Sequence, residues 1–191
     1  MLNVSALAKD CNISQPTAKA WLSILESSYL IFLLQPYHQN FNKHLVKSPK
    51  LYFYDTGLLC YLLGIKSADE IILNRLKGNL FENLILAELE EQNFLQYAHL
   101  DYYFWQDSNA NEIDVLTKNY VGFDAFEIKA TETISNELFK QMDRFAELAA
   151  PEEVKKTLIY GGSENQTRSK YNILSWSIGT KIFSLLSKNP H

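Results

Sequence analysis

The sequence lacks the features that would place it among secreted, zinc-finger or membrane proteins. Its two cysteines, Cys11 and Cys60, are too few for a disulfide framework and form no zinc-ligand pattern. The first residues, MLNVSALAKD, have neither the basic start nor the apolar core of a signal peptide. The longest apolar run, YLIFLL, is far too short to span a bilayer. These absences predict a soluble, cytoplasmic protein.

Glycine and proline are also scarce, at 7 and 5 of 191 residues, and 47% of the residues are hydrophobic. This composition excludes a disordered chain and predicts one large domain or two small ones. The net charge of −4 gives no global case for nucleic-acid binding. The charge is uneven, however, because residues 1–60 carry five positive and three negative groups, whereas the remainder carries thirteen and nineteen.

The first part of the chain has the pattern of a winged helix-turn-helix. Helical periodicity predicts two short helices, the second with Ser14 as its N-cap and Pro16 in its first turn. The strands YLIFLLQP and KLYFYD then flank a basic loop. We therefore predict a winged-helix domain over residues 1–66 and a connection over 67–77.

This domain has two open interpretations. In one it binds DNA, with three residues of the second helix in a groove and three lysines of the wing on phosphates. Those residues are Gln15, Thr17, Lys19, Lys43, Lys47 and Lys50. In the other it contacts a protein or acts as a spacer, since so few lysines make a thin patch for phosphate binding.

The second part, residues 78–191, alternates helices and strands. A helix from GNLFENLILAELEEQ precedes three strands, HLDYYFWQD, NEIDVLTK and GFDAFEIKA. The helix SNELFKQMDRFAELA and the strands KTLIYGG and YNILSW follow, with a final helix from Ser177. The order α-β-β-β-α-β predicts a mixed α/β domain.

The strand FEIKA carries the chemistry. Residues two apart on a strand share a face, so Glu127 and Lys129 project together. A turn in KNYVG pairs the two flanking strands and brings Asp114 opposite Glu127. Two close carboxylates repel unless a cation is bound, and oxygen ligands select Mg²⁺ or Mn²⁺. Lys129 then suits orienting a water or stabilising negative charge on a phosphate.

Glu82, which interrupts an apolar helix stripe, is a further candidate ligand. Simpler interpretations are helix-dipole stabilisation for Glu82 and a solvated ion pair for Glu127 and Lys129. Asn109, Asn111 and Glu112 precede Asp114 and are candidates to border the metal, although ordinary loop polarity explains them equally well.

The combination of LFENL, EID and FEIKA resembles the PD-(D/E)XK nuclease superfamily. The resemblance implies that Asp114, Glu127 and Lys129 are the motif residues, that Glu82 is the acidic residue of the first core helix, and that the site is catalytic. Ile113 replaces the motif proline. Gln141 stands where some members place an extra polar residue.

Nearly the whole chain also resembles domain of unknown function 4143, through segments such as YFYDTGL, GNLFEN and YFWQDSNANEIDVL. That family is usually the C-terminal half of prokaryotic AAA+-type ATPases. The chain has no G-x-x-x-x-G-K-[ST] phosphate loop. We therefore expect a fragment or a separately encoded half, with no ATPase activity of its own and an ATPase domain or subunit as partner.

Two functional hypotheses follow. In the first the protein is a Mg²⁺- or Mn²⁺-dependent DNA endonuclease in which Glu82, Asp114 and Glu127 hold the metal and Lys129 assists catalysis. In the second it is a non-catalytic module that recognises DNA or a protein for an ATPase. A toxin-antitoxin or mobile-element defence role is a third hypothesis, which the sequence does not address.

Overall fold

One sheet of eight strands runs through the chain from its N-terminal part to its C-terminal part. The computed structural model describes residues 1–38, 47–96 and 99–178. Its helices are α1 (Val4–Asp10), α2 (Gln15–Ser27), α3 (Thr56–Leu62), α4 (Ala68–Leu73), α5 (Lys77–Leu95) and α6 (Lys140–Ala149). Its strands are β1 (Ile31–Pro36), β2 (Lys50–Phe53), β3 (Tyr103–Gln106), β4 (Glu112–Lys118), β5 (Gly122–Lys129), β6 (Glu153–Tyr160), β7 (Gln166–Arg168) and β8 (Tyr171–Ser175). Short 3₁₀ helices occupy Asn136–Phe139 and Trp176–Ile178.

The sheet is mixed, as predicted for an α/β fold. The strands lie in the order β2-β1-β3-β4-β5-β6-β8-β7. Strand β1 pairs in parallel with β3, and β6 pairs in parallel with both β5 and β8. The other four neighbouring pairs are antiparallel. From α5 onward the main elements follow the predicted order α-β-β-β-α-β, with the short β7 added.

The two faces of the sheet are covered by different helices. On one face Leu86 and Leu89 of α5 pack in a cluster that includes Phe126 and Ile128 of β5. On the other face Met142 and Phe145 of α6 lie in a cluster with Phe123, Ala125 and Leu158. Seven of the eight β5 residues are therefore buried. The side chain of Glu127 is consequently buried, so the ion pair that it forms with Lys129 is open to solvent only on the lysine side.

The N-terminal helices form where their capping residues predict them. The Asn3 carboxamide accepts a hydrogen bond from the Ala6 backbone N–H at 3.0 Å, and the Ser14 hydroxyl accepts one from Thr17 N–H at 3.2 Å. Pro16 lies in the first turn of α2, where its missing N–H costs nothing. The predicted N-cap Ser14 is thus confirmed. The assignment of the helices and the β1–β2 hairpin to a winged helix stays a prediction, and Lys43 lies outside the described residues.

The edge strand β2 is tied to α5 by one buried side chain, Asn83. Its carboxamide oxygen accepts a hydrogen bond from Phe53 N–H at 2.8 Å, and its amide donates to the Phe53 carbonyl at 3.0 Å and to the Thr56 hydroxyl at 2.9 Å. Asn83 thereby replaces the strand that β2 lacks on its outer side. These three hydrogen bonds fix the β1–β2 hairpin relative to α5.

The predicted boundary region contains helix α4 and the start of α5. The sheet continues across it, because β1 pairs with β3 through Gln35–Tyr103 and Pro36–Phe104. The domain limits 1–66, 67–77 and 78–191 stay a prediction.

The final helix predicted from Ser177 falls almost entirely on residues outside the described part. Within the described residues, no helix has the length and apolar character needed to cross a bilayer.

The far end of the sheet is anchored to α6 by Asp143. Its carboxylate accepts hydrogen bonds from Lys156 at 2.7 Å and Tyr171 at 2.6 Å and pairs with Lys170 at 3.0 Å. Burial alone would raise the pKa of Asp143, but these hydrogen bonds outweigh it and lower the pKa to about 2. The Lys156 side chain is only 8% exposed, so loss of its partner would leave a buried charge unpaired.

We expect Asp143→Asn to lower the free energy of unfolding by about 1–3 kcal/mol at neutral pH, measured by urea denaturation. Because the folded pKa is depressed, the contribution is fully present above the unfolded value near 4 and is lost as pH falls through about 2. The difference between wild type and variant should therefore shrink below about pH 4. Glu137→Gln is the control, since Glu137 forms an exposed pair with Lys140 and should change stability by less than about 0.5 kcal/mol. Equal losses in the two variants would contradict the anchoring role.

Candidate metal centre

Three carboxylates from two elements converge beside the β1–β2 hairpin. Glu82 lies on α5, and Glu112 and Asp114 lie on β4; one oxygen of each is within 4.8 Å of the others. Glu82 is the sixth residue of α5, beyond the first turn to which helix-dipole stabilisation is confined. The helix-dipole interpretation therefore does not account for Glu82, and its position among other carboxylates does.

The hairpin contributes a cation and a hydroxyl to this cluster. The Lys50 ammonium contacts Glu82 Oε1 at 2.9 Å and Glu112 Oε1 at 2.5 Å, and its side chain is 12% exposed. The Tyr52 hydroxyl donates to the same Glu82 oxygen at 2.5 Å, and Gln106 donates to Glu112 Oε2 at 2.5 Å. Each carboxylate on this side is thus held in a defined orientation by neighbouring donors.

Asp114 lies at an irregularity in the sheet. The register of β3 and β4 shifts between Tyr103–Leu116 and Trp105–Ile113, so that β4 contains one extra residue over this stretch. Such a bulge bends the strand and re-aims its side chains, and bulges are common next to functional sites. Asp114 lies inside this stretch, at the point where β4 approaches both α5 and β5.

Asp114 also meets the predicted Glu-x-Lys pair on β5. The register of β4 and β5 extends to Val115–Phe126, and Asp114 and Glu127 are the next residues on the two strands. Asp114 Oδ2 accepts hydrogen bonds from Ile128 N–H at 2.8 Å and from Lys129 Nζ at 3.2 Å. Lys129 Nζ lies 2.6 Å from Glu127 Oε1. The ammonium therefore bridges the two carboxyl groups.

Burial and neighbouring charges shift the pKa values of the ionisable groups in the site. Burial and the neighbouring Asp114 charge raise the pKa of Glu127 to about 8, against the effect of Lys129. Burial raises the pKa of Asp114 as well, with Glu82 acting in the same direction. Burial alone would lower the pKa of Lys129, but the carboxylates of Asp114 and Glu127 outweigh it and raise the pKa. Both lysines therefore remain charged near neutral pH, and the carboxyl group of Glu127 is harder to ionise than an ordinary glutamate.

The donor set fits a hard divalent cation. Four carboxyl groups, from Glu82, Glu112, Asp114 and Glu127, face two ammonium groups, from Lys50 and Lys129. With every carboxyl ionised the cluster would carry two uncompensated negative charges, which one divalent ion would neutralise. The second oxygen of Glu127 is buried and has no hydrogen-bond partner, which is uncommon for such an atom. Oxygen-only ligands of this kind suit Mg²⁺ or Mn²⁺.

The structure brings together most of the predicted site and adds to it. Glu82 and Asp114 lie in the three-carboxylate group, whereas Glu127 contacts Lys129 next to that group. Glu112 is the third member of this group. The sequence left two interpretations of Glu112 open, a residue that borders the metal and an ordinary polar loop residue. Its spacing of two residues from Asp114 is the signal that could have found it, because Glu127 and Lys129 were recognised by the same spacing. Lys50, Tyr52 and Gln106 gave no such signal.

The other polar candidates lie in different surroundings. The side chain of Asn111 donates to Asp107 at 2.7 Å, and the backbone N–H groups of Asn109 and Asn111 donate to the same carboxylate. These residues build the turn before β4. Gln141, which is half-buried, lies at the start of α6.

The predicted DNA contacts are spread over the N-terminal region. Gln15 donates to the Ser5 hydroxyl and Thr17 interacts with Ser14, so both take part in local helix contacts. Lys19 and Lys47 line one groove of about 790 Å³ beside α1 and α2. Lys50 faces the acidic cluster instead of solvent, and a phosphate contact there would require release of its carboxylate partners. Nucleic-acid binding by these residues stays a prediction.

Comparison with known proteins assigns two regions of the chain to families. Residues 1–69 match the family described as Domain of unknown function (DUF8612). The chain is also similar to uncharacterized proteins of Mycobacterium tuberculosis and Mycobacterium bovis, at 33% identity over 129 residues in each case. That alignment covers 68% of the chain and 28% of each relative, so the chain spans well under half the length of these curated relatives. Residues 77–178, more than half of the chain, match Domain of unknown function (DUF4143), and the chain therefore belongs to this family, which is known as the C-terminal part of AAA-type ATPases.

Proposed function

We propose that this chain is a Mg²⁺- or Mn²⁺-dependent phosphodiesterase acting on DNA. The observation that carries the proposal is the convergence of Glu82, Glu112 and Asp114 within 4.8 Å, next to the Glu127–Lys129 pair on the facing strand. Glu82, Glu112, Asp114 and Glu127 would hold the metal. A divalent cation bound there would polarise a phosphate oxygen and make a water more acidic.

Lys129 has the position of the catalytic cation in this proposal. Asp114 and Glu127 hold its ammonium on one side, while its side chain remains 38% exposed and can reach a bound phosphate. A fixed positive charge at such a point stabilises the negative charge that develops on phosphorus-bound oxygens during cleavage. Glu127 shares Lys129 with Asp114 and keeps the ammonium in place.

The contact with DNA is expected to be weak and dependent on salt. Lys19 and Lys47 are exposed, but the chain as a whole has a charge of −4. A protein that neutralises few phosphates has low affinity, which falls further as salt increases. We therefore propose that an ATPase domain, in the same polypeptide or in a separate subunit, supplies further contacts to the nucleic acid.

A second candidate function is that of a non-catalytic module for such an ATPase. The observation that favours it is the position of Lys50, whose ammonium already neutralises part of the acidic cluster through Glu82 and Glu112. In this alternative the carboxylates and lysines form an ion-pair network that joins the hairpin to α5 and β4. The two candidates differ in whether the cluster binds a divalent metal.

The first test is metal binding. We expect the wild-type chain to bind Mn²⁺ in calorimetry and Asp114→Asn to bind it at least about tenfold more weakly, since a central carboxylate is lost. Asp124→Asn is a matched control, because Asp124 is also buried and pairs with a lysine, Lys155, at 3.6 Å. Its affinity should be unchanged. No heat of binding for the wild type would favour the non-catalytic module.

The role of Lys129 is tested by DNA cleavage. With Mn²⁺ present, Lys129→Met should reduce plasmid cleavage by about 10²–10³-fold while retaining the metal, because a charge near the reacting phosphate is removed. Lys155→Met is the control, since Lys155 has similar exposure and also pairs with a buried aspartate. Equal cleavage by wild type and Lys129→Met would exclude the proposed role of this lysine.

The Lys50→Met variant distinguishes the two candidate functions most directly. If it competes with a metal for Glu82 and Glu112, Lys50→Met should tighten Mn²⁺ binding by about tenfold, since an opposing charge within hydrogen-bond distance is removed. The metal-free variant should melt at a lower temperature than wild type, because its carboxylates repel one another. Added Mn²⁺ should then raise its melting temperature more than that of wild type. A Lys50→Met variant that melts lower and shows no response to Mn²⁺ would support the ion-pair network alone.

A further inference from the structure

A second site candidate lies further along α5, about 12 Å from Glu82 for eight residues of helix. It is a groove of about 680 Å³ between the C-terminal half of α5, the residue Tyr29 after α2 and the residue Tyr54 after β2. We call it the Glu90 groove, after the carboxylate of α5 that lines it. It shares no lining residue with the metal centre.

The walls of the Glu90 groove are aromatic and unusually exposed. The rings of Tyr29 and Tyr54 lie 6.0 Å apart, and Tyr54 packs in turn on Phe32 at 4.8 Å. Tyr29 is 69% exposed and Phe94, on α5, is 72% exposed. The neighbouring Leu30 and Leu95 are exposed as well. A cluster of exposed apolar side chains is typical of a surface that contacts another protein.

The charge inside the groove is negative and unpaired. Glu90 is half-buried and has no hydrogen-bond or ion-pair partner among the described residues. Burial raises its pKa, which indicates that the ionised form is poorly compensated. Glu91 also lines the groove, and the lining residues that the structure describes include one basic side chain, His99, and no lysine or arginine. The hydroxyl of Tyr102 is buried without a hydrogen-bond partner. Burial and, to a lesser extent, the charge of Glu90 raise its pKa.

The helix itself gives no reason for a carboxylate at this position. Glu90 lies in the C-terminal half of α5, towards the negative end of the helix dipole, where an acidic side chain gains no stabilisation. An unpaired, half-buried carboxylate also costs free energy. A positively charged group that enters from outside would satisfy it, and aromatic faces beside it would add cation–π attraction.

We propose that the Glu90 groove docks an arginine side chain carried by an apolar segment of a partner protein. The planar guanidinium can pair with the Glu90 carboxylate and pack against the exposed rings of Tyr29 and Phe94, which line the same groove. Apolar residues on either side of the arginine would cover Phe94 and the exposed leucines. The charge and the ring faces select a cation, and the exposed apolar rim selects a peptide segment over a free small molecule.

The experiment uses the 191-residue chain and three probes in NMR titrations that follow tyrosine and phenylalanine resonances. The probes are the peptide acetyl-Leu-Arg-Leu-amide, the same peptide with citrulline in place of arginine, and acetyl-arginine-amide alone. We expect the arginine peptide to perturb the resonances of Tyr29, Tyr54 and Phe94 and to bind at least about tenfold more tightly than the citrulline peptide. Acetyl-arginine-amide should bind more weakly than the peptide.

Glu90→Gln tests the carboxylate without changing the shape of the groove. It should weaken binding of the arginine peptide by about tenfold and leave the citrulline peptide unaffected. Glu88→Gln, on the same helix but not lining the groove, is the control and should leave both affinities unchanged. The melting temperature of each variant checks that the chain remains folded.

Four outcomes would overturn the proposal. Equal affinities for the arginine and citrulline peptides would show that no cation is recognised. Unchanged binding in Glu90→Gln, or no perturbation of the groove aromatics, would show that the site lies elsewhere or does not exist. Binding of acetyl-arginine-amide as tight as that of the peptide would indicate a small-molecule cation site and not a docking surface. None of these outcomes depends on metal binding.

Discussion

The ion pairs of Lys50 are the interaction on which the candidate site depends. This one ammonium joins three parts of the chain, since it starts on β2 and contacts Glu82 of α5 and Glu112 of β4. Without it, several carboxylates would stand close together in a largely buried place, where their repulsion is poorly screened. The hairpin is therefore both a part of the sheet and the source of the positive charge that the acidic cluster requires when no metal is present.

The backbone around this cluster is arranged to hold it. Asn83 fixes β2 on α5 through both polar groups of the Phe53 backbone, so Lys50 and Tyr52 keep their positions relative to Glu82. Asp114 lies in the bulged part of β4, and Ile128 N–H and Lys129 of β5 fix its carboxylate. Adjacent residues of the same helix thus have different roles, since Glu82 belongs to the acidic cluster and Asn83 fixes the strand beside it.

The sequence predicted the parts of the site that depend on local pairing. The turn between β4 and β5 set the register, and with it the meeting of Asp114 with Glu127 and Lys129. The parallel pairing of β1 with β3 was not predictable in this way, because more than sixty residues separate the partners Gln35 and Tyr103 and no local turn fixes their register. Lys50 was accordingly interpreted as a phosphate contact on a wing, although it lies in the acidic cluster. Asn83 was likewise passed over, since a polar residue on a helix gives no sign of a backbone that lies far away in the sequence.

The continuity of the sheet also bears on how the protein is to be divided in experiments. A cut between the predicted domains would remove Lys50 and Tyr52 from the acidic cluster and expose the edge of β3 that pairs with β1. The remaining carboxylates would repel one another, and the open strand edge would favour aggregation. A loss of activity or of metal binding in such a fragment would then reflect damage to the site, whatever the role of the N-terminal helices. Substitutions in the intact chain separate the role of the acidic cluster from that of the N-terminal helices. A substitution of Lys50, Asp114 or Lys129 removes one charge and leaves the sheet complete.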